Sequence, residues 1–472
     1  MSTNALQAAV DHRWETDILE EMKGFIRIPA KSPAFDPDWA ANGYLDDAVA
    51  HAERWCRETA PADASIEVIR LEGRTPLLLV DVPGNRDGTI LLYGHLDKQP
   101  EVSGWSDGLG PWQPVLKDER LYGRGSADDG YAVYASLTAV TAVHEQGLPH
   151  GRCLLLIETC EESGSYDLPH YIDHLRQRIG QPELVLCLDS GCGNYEQMWC
   201  TTSLRGMAAG TLQVETLTQG VHSGDAGGVV PSSFRIARHL LERLEDSVDG
   251  RIIPAAFNAE IPDERRAQAR AAAEVVGTTL RDRFPFTGET RAEEQDLTEL
   301  VLNRSWRPAL EITGADGLPT IADAGNVLRA ATAFKLALRL PPTVEGTAAT
   351  ARLKDLLEAN PPHGARVTFT PDQAATGWHA PPLSPWLAET MDAASRDAFG
   401  APVMYMGEGG TIPFMALLSE AFPEAQFVIT GVLGPQSNAH GPDEFLHVPT
   451  ARRLTTCVAR IISAHGEQAK AG

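Results

Sequence analysis

The sequence predicts an α/β fold: a mixed-sheet domain that is split in sequence, with an α+β unit inserted in the middle. Three observations lead there. Apolar strands alternate with helical stretches, and three of those strands run straight into side chains that ligate metals. The pattern changes after about Leu204 and returns near Pro381. The chain has 472 residues, too many for one compact core, so two domains are expected. The predicted boundaries are 1–204 with 381–472 for the first domain and 205–380 for the insertion.

Thr16 to Ile26 carries apolar residues at helical spacing, and Tyr44 to Ala60 follows as a second helix. Ile66–Leu71, Pro76–Val82 and Thr89–Tyr93 read as strands separated by turn segments. The stretch Leu91–Pro100, LLYGHLDKQP, is then a buried strand that delivers His95 and Asp97 to its carboxyl end. Positions i and i+2 of an extended chain face the same way, so both address one site. Alone, this pattern is more often a surface His–Asp pair. Repetition reverses that judgement. The glycine loop Leu121–Gly130, LYGRGSADDG, precedes an Ala-rich helix over Tyr131–Gln146. Such a loop could cradle phosphate, but Asp128 and Asp129 would repel it and suit a cation instead. Gly151–Glu158 is another buried strand and leads to Glu161 and Glu162; Glu183–Leu188 is a third and ends in Asp189. Adjacent carboxylates can divide labour, one binding metal and one accepting a proton. One histidine with several carboxylates suits zinc or manganese, and so many carboxylates suggest two metals with a bridging one. Between these elements, Trp105–Trp112 is a Gly/Pro-rich loop, either plain surface or the wall of a cleft.

The middle of the chain reads differently. Gly206–Glu215 is a strand, His222 sits in the Gly-rich turn GVHSGDAGGVVPSS, and a helix follows over Phe234–Leu244. Residues 255–310 are rich in charge and Ala, include a helix over Asp263–Val276, and carry no evident chemistry, as a lid or insertion would. Ala324–Leu340 ends in a strand that places Lys335, Ala337 and Arg339 on one face. A helix over Thr347–Ala359 and a strand over Arg366–Pro371 complete the unit. The first style then resumes with a helix over Pro385–Phe399, the glycine loop GEGGTI at 407–412, a strand over Gln426–Leu433, and His440 just past it.

Composition narrows the function. The 40 basic against 64 acidic residues give a net charge of −24, which disfavours nucleic acid and anionic membranes as partners. No apolar run approaches the ~20 residues of a membrane span. The first residues lack a signal-peptide core, and the seven cysteines form no framework, so a reduced, cytoplasmic protein is expected. Cys187, Cys192 and Cys200 read as packing residues. No lysine follows the glycine loops as in a P-loop, which argues against a nucleotide site.

Six elements in order, G-H-L-D at 94–97, G-R-G-x-x-D at 123–128, Glu161-Glu162, Asp189, H-S-G at 222–224 and H-x-x-x-E at 440–444, resemble the co-catalytic metallopeptidase family of aminoacylases, carboxypeptidase G, succinyl-diaminopimelate desuccinylase and carnosinase-type dipeptidases. The chain length, the large insertion and the GxHSGDAGG form lean toward the carnosinase-like branch. The resemblance implies a zinc-exopeptidase-like (phosphorylase/hydrolase-like) catalytic domain with a lid and dimerisation domain. It implies two divalent metal ions per subunit, Zn2+ with Mn2+ as the alternative. His95, Asp128 and Asp189 would bind one, and Asp128, Glu162 and His440 the other. Glu161 would be the general base, Asp97 would orient His95, and the Asp128–Asp129 peptide would be cis. In a homodimer, His222 would reach the partner's active site. Arg339, Asn326 and the Gly409-Gly410-Thr411 turn would receive the substrate carboxylate, with His379 a further, poorly matched lid contact. Glu408 departs from the dipeptidase branch, where a basic residue tends to precede the Gly-Gly turn. The implied activity is hydrolysis of an amide bond in dipeptides or small peptides with a free C-terminal carboxylate. The alternatives are deacylation of N-acyl amino acids and an inactive binding protein. No ligand or base is missing, which disfavours the last.

Overall fold

The computed structural model describes residues 3–410 and 413–468. Contacts divide the chain into two units. One comprises Met1–Thr201, Ala380–Tyr405 and Leu417–Gly472, the other Thr202–His379 and Met406–Ala416.

Parallel strands form the heart of the first unit. They run side by side in the order Arg152–Glu158, Thr89–His95, Leu184–Cys187 and Gln426–Ile429. Leu77–Val82 and then Ser65–Ile69 extend one flank antiparallel. On the other flank Thr201 of Trp199–Leu204 pairs antiparallel with Ile429. This is the mixed α/β sheet that the alternation of strands and helices predicts. The parallel strands are apolar without alternation because both their faces are covered: Ile90–Tyr93, Cys153–Ile157 and Leu184–Cys187 are buried throughout. The helix Tyr131–Glu145 is itself buried from Tyr131 to Val143, and it packs on Val448–Gln468, which also meets Pro385–Phe399. Because the strands are parallel, their carboxyl ends share one edge, where ligands bind in such sheets.

Some boundaries differ from the expected ones. The N-terminal helical region begins at Thr3 rather than Thr16, and passes through a wider turn at Trp14–Ile18 before Leu19–Ile26. Leu6, Val10, Trp14, Ile18 and Met22 form one buried stripe, which His12, Arg13 and Glu15 on the other faces obscure in the sequence. Cys187, Cys192 and Cys200 are buried, as packing residues should be.

The second unit holds an antiparallel sheet in the order Ala309–Asp316, Ala331–Leu340, Gly206–Glu215 and Arg366–Ala375. Ala331–Leu340 alternates as expected. Phe334, Leu336, Leu338 and Leu340 join a core with residues of the helices Ser233–Leu241 and Gly346–Glu358, whereas Lys335 and Arg339 occupy the opposite face. The helix expected to reach Leu244 stops at Leu241, and the strand expected to stop at Pro371 continues past an irregularity to Ala375. His222 lies not in a free turn but in the short strand Val221–His222, paired with Val327–Leu328.

The strand expected over Gln426–Leu433 ends at Ile429. Gly431 then passes hard against the backbone that follows Asp189. A Cβ at Gly431 would lie 2.0 Å from the Ser190 carbonyl oxygen and 2.5 Å from its amide nitrogen. Gly431→Ala should therefore force the two segments apart and cost about 1–3 kcal/mol, the usual penalty for overpacking. A lower urea midpoint is the expected readout, and an unchanged midpoint would contradict this close approach.

Candidate metal centre

Each side chain at the edge of the parallel sheet arrives from a different strand end or turn. His95 closes its strand and is buried. Its Nδ1 faces the Asp97 backbone carbonyl at 3.0 Å, closer than the Asp97 carboxylate at 3.4 Å. Its Nε2 points toward Asp128 Oδ1 at 3.4 Å and Asp189 Oδ2 at 3.8 Å, with no hydrogen-bond partner. The other Asp128 oxygen lies 2.9 Å from His440 Nε2, and Glu162 Oε2 is 3.4 Å from that nitrogen. Two triads result, His95/Asp128/Asp189 and Asp128/Glu162/His440, each with donor atoms within 4.8 Å of one another. Asp128 belongs to both.

Asp97 anchors the neighbouring turn. Its carboxylate accepts the N–H of Glu161 at 3.1 Å and of Glu162 at 3.0 Å, at the start of the short turn Glu161–Ser163. Gln99 Nε2 donates to Glu162 Oε2 at 2.5 Å. Glu161 belongs to neither triad but lies in the same field of charge.

The Asp128–Asp129 peptide is cis, within a loop entered through Gly125 at φ 78°. The two carboxylates do not both face the donor cluster, as the sequence reading expected. Asp129 instead turns to the His95 backbone, whose N–H donates to Asp129 Oδ2 at 3.3 Å. His440 is also not immediately after a strand. It sits, half exposed, in a turn where Asn438, His440 and Asp443 all have positive φ. Asn, Asp and His are among the side chains that tolerate this region best. The Trp105–Trp112 loop braces that turn: Ser106 N–H donates to Asp443 Oδ1 at 2.8 Å.

Burial and crowding dominate the electrostatics. Burial, followed by Asp189, pushes the Glu161 carboxyl well above its usual range; burial, then Asp128 and Glu161, does the same to Glu162. The Asp189 carboxyl is pushed up to about 6 by burial and the Asp128 charge, against the pull of His95. Burial would raise Asp128 too, but His440 and His95 outweigh it and hold that carboxyl low. His95 is raised in turn: burial opposes its charge, and Asp128 and Asp97 overcome that. A bound cation relieves such crowding. The unpartnered His95 Nε2, the crowded carboxylates and the all-N/O donor set therefore fit divalent ions.

The sequence reading passed over Arg124, Glu444 and Gln99. Each lies inside a quoted motif, but a lone charged or amide residue in a loop carries no signal that it is buried or paired. Among the described residues, seven of those singled out (His95, Asp97, Asp128, Glu161, Glu162, Asp189 and His440) gather in the first unit. His222, Asn326, Arg339, His379, Glu408 and Gly410 belong to the second unit. There Ser223 N–H donates to the Asn326 carbonyl at 2.9 Å, beside the pairing of His222 with Val327. Arg339 is on the open face of its sheet. His379 packs edge-on against Trp306. Glu408 forms an ion pair with Arg304, and Arg205 Nε donates to the Gly409 carbonyl at 3.3 Å, next to Gly410. Thr411 lies outside the described residues.

Similar proteins share both sequence and fold. The chain is 27% identical over 392 residues to the cysteinylglycine-S-conjugate dipeptidase of Corynebacterium striatum, covering 80% of this chain and 81% of that protein. It is 27% identical over 365 residues to the Beta-Ala-His dipeptidase of Homo sapiens, covering 73% and 69%. The solved structure of the dipeptidase Dug1p from Saccharomyces cerevisiae superposes with a TM-score of 0.76 at 20% identity, over 99% of each chain. That of human carnosine dipeptidase 1 gives 0.76 at 21% identity, again over 99% of each. A model of Peptidase family M20/M25/M40 matches residues 91–464, a span that includes every donor from His95 to His440, and the chain belongs to that family.

Proposed function

We propose that this chain is a metal-dependent dipeptidase that hydrolyses the amide bond of dipeptides or small peptides bearing a free C-terminal carboxylate. The observation that carries the reading is the pair of donor triads sharing Asp128, with Glu161 beside them and outside both. The dipeptidase names of the relatives in Corynebacterium striatum and Homo sapiens support the substrate class. His95, Asp128 and Asp189 would hold one dication, and Asp128, Glu162 and His440 the other, with zinc favoured by the imidazole–carboxylate donors and manganese the alternative. Bound dications supply positive charge at the carbonyl oxygen and acidify water.

Glu161 takes the proton of the attacking water and returns it to the leaving nitrogen. Asp97 holds the Glu161 and Glu162 amides and one edge of the His95 ring, so it positions the base and a ligand together. The second unit serves as lid and dimerisation domain of a homodimer. Its His222 donates to the developing oxyanion in the partner's site. Arg339, Asn326, Gly410 and Thr411 receive the substrate carboxylate and set its register. Seven buried thiols and an acidic composition suit a reducing cytoplasmic setting. Among the described residues no helix is long and apolar enough to cross a membrane.

Three experiments test this reading. Glu161→Ala should lower kcat by at least about 10²–10⁴-fold while both metals stay bound; wild-type turnover would remove Glu161 as the base. Mixing inactive Glu161→Ala and His222→Ala protomers should restore part of the activity, because one site in each mixed dimer then holds both groups. No restoration would refute action across the interface. The third concerns pH. The folded Asp189 carboxyl lies at about 6, above its ordinary 3.8, and Glu161 and Glu162 are raised as well. The folded, metal-stripped state therefore keeps protons that the unfolded chain has lost. The resulting stability is complete below the ordinary carboxyl range and is lost as pH rises through about 6. Added metal should accordingly raise Tm more at about pH 7.5 than at about pH 5, because the ligands must be deprotonated. An equal rise at both would contradict the carboxylate assignment.

A further inference from the structure

Arg124 and Glu444 form an ion pair that the chemistry above does not use. Their side chains are 1% and 0% exposed, and Arg124 Nη1 lies 2.7 Å from Glu444 Oε2. Their other hydrogen bonds are to backbone, and the Arg124 guanidinium also stands over the Trp105 ring, 5.7 Å from its centroid. Glu444 Oε1 accepts the N–H groups of Ala127 at 3.3 Å and Asp128 at 3.4 Å. Arg124 Nη2 donates to the Gly441 carbonyl at 2.8 Å, and Nε to the Pro100 carbonyl at 3.2 Å. The Glu444 carbonyl accepts the Gly123 N–H at 3.0 Å. One pair thus ties together the segment leaving the His95 strand, the loop that carries Asp128 and the turn that carries His440. A buried ion pair is a weak source of net stability, because its desolvation offsets its attraction. What it does supply is geometry, through the guanidinium fork and a fully satisfied carboxylate.

The two donor triads depend on this strut unequally. His95 is the last residue of a central parallel strand, and Asp189 follows the end of another. Their positions follow from the sheet. His440 has no such support: it is half exposed in an irregular turn, with Asn438, His440 and Asp443 at positive φ. Gly441 next to it is held by Arg124, and the same carboxylate that fixes Arg124 also holds the Asp128 amide.

We propose that the Arg124–Glu444 pair is a positioning device for the cation held by His440 and Glu162, closing the 438–444 turn onto Asp128, and that it matters much less for the cation held by His95 and Asp189. The proposal rests on the two-cation reading above. Calorimetric titration of the metal-stripped full chain with zinc tests it. Wild type should take up two ions per chain. Glu444→Gln should weaken the second ion about 10–100-fold and change the first by less than about threefold. His440→Ala should show the same selectivity. The double variant Arg124→Met with Glu444→Leu removes both buried charges but leaves the Ala127 and Asp128 N–H groups without their acceptor, so it should still fold cooperatively, at a lower Tm without zinc, and bind the second ion weakly. Equal weakening of both ions, or wild-type affinity in the double variant, would overturn the proposal and leave the two-cation reading intact. Uptake of one ion by wild type itself would defeat that reading, and the proposal with it.

Discussion

Carboxylates cannot be gathered away from water without something positive among them, and the first unit gathers several. Asp128, Glu161, Glu162 and Asp189 meet at one sheet edge with Asp97 behind them. Two imidazoles offset part of the charge. They suffice to hold Asp128 low, but Asp189 is still pushed up to about 6 and both glutamates are raised. Such an arrangement is poorly balanced by its own side chains and well balanced by dications. The rest of the first unit serves to impose it. A parallel sheet brings strand ends to a common edge, and the helices over its faces supply the apolar burial that offsets the cost of that crowding.

Around the charged cluster the backbone is held mainly by side chains that do not face it. Asp97 fixes two consecutive glutamate amides, Asp129 takes the His95 amide, and Glu444 takes the Asp128 amide. His95, Asp128 and Glu162 thus have their main chains tied by neighbouring carboxylates, which leaves their own side chains to the site. The same carboxylates add negative charge nearby, so they position the site and deepen its need for cations at once.

How much of this is visible in the sequence depends on how local the signal is. The parallel strands are legible because burial on both faces makes an uninterrupted apolar run, and His95 and Asp189 follow those runs closely. The strand Ala331–Leu340 is legible from its alternation. Asp128 stands out only through its glycine loop, and its neighbour Asp129 was misread because loop direction leaves no periodic trace. Glu444 and Arg124 are farther from legibility still. A charged loop residue reads as solvated, and what buries each is a partner 320 positions away. The His440 turn combines three positive-φ residues, a conformation no spacing rule anticipates. The helix from Thr3 was missed because its apolar stripe is narrow and flanked by charge. The family resemblance compensated for several of these losses at the cluster and, of the supports behind it, assigned a role to Asp97 alone.

The central claim is that the edge carrying His95, Asp128 and His440 is built for two cations. Anomalous diffraction at the zinc absorption edge, from crystals grown with zinc, tests this most directly. The account predicts two strong peaks per chain about 3.5–4 Å apart, on either side of Asp128. A single peak there, or zinc bound away from both histidines, would contradict it.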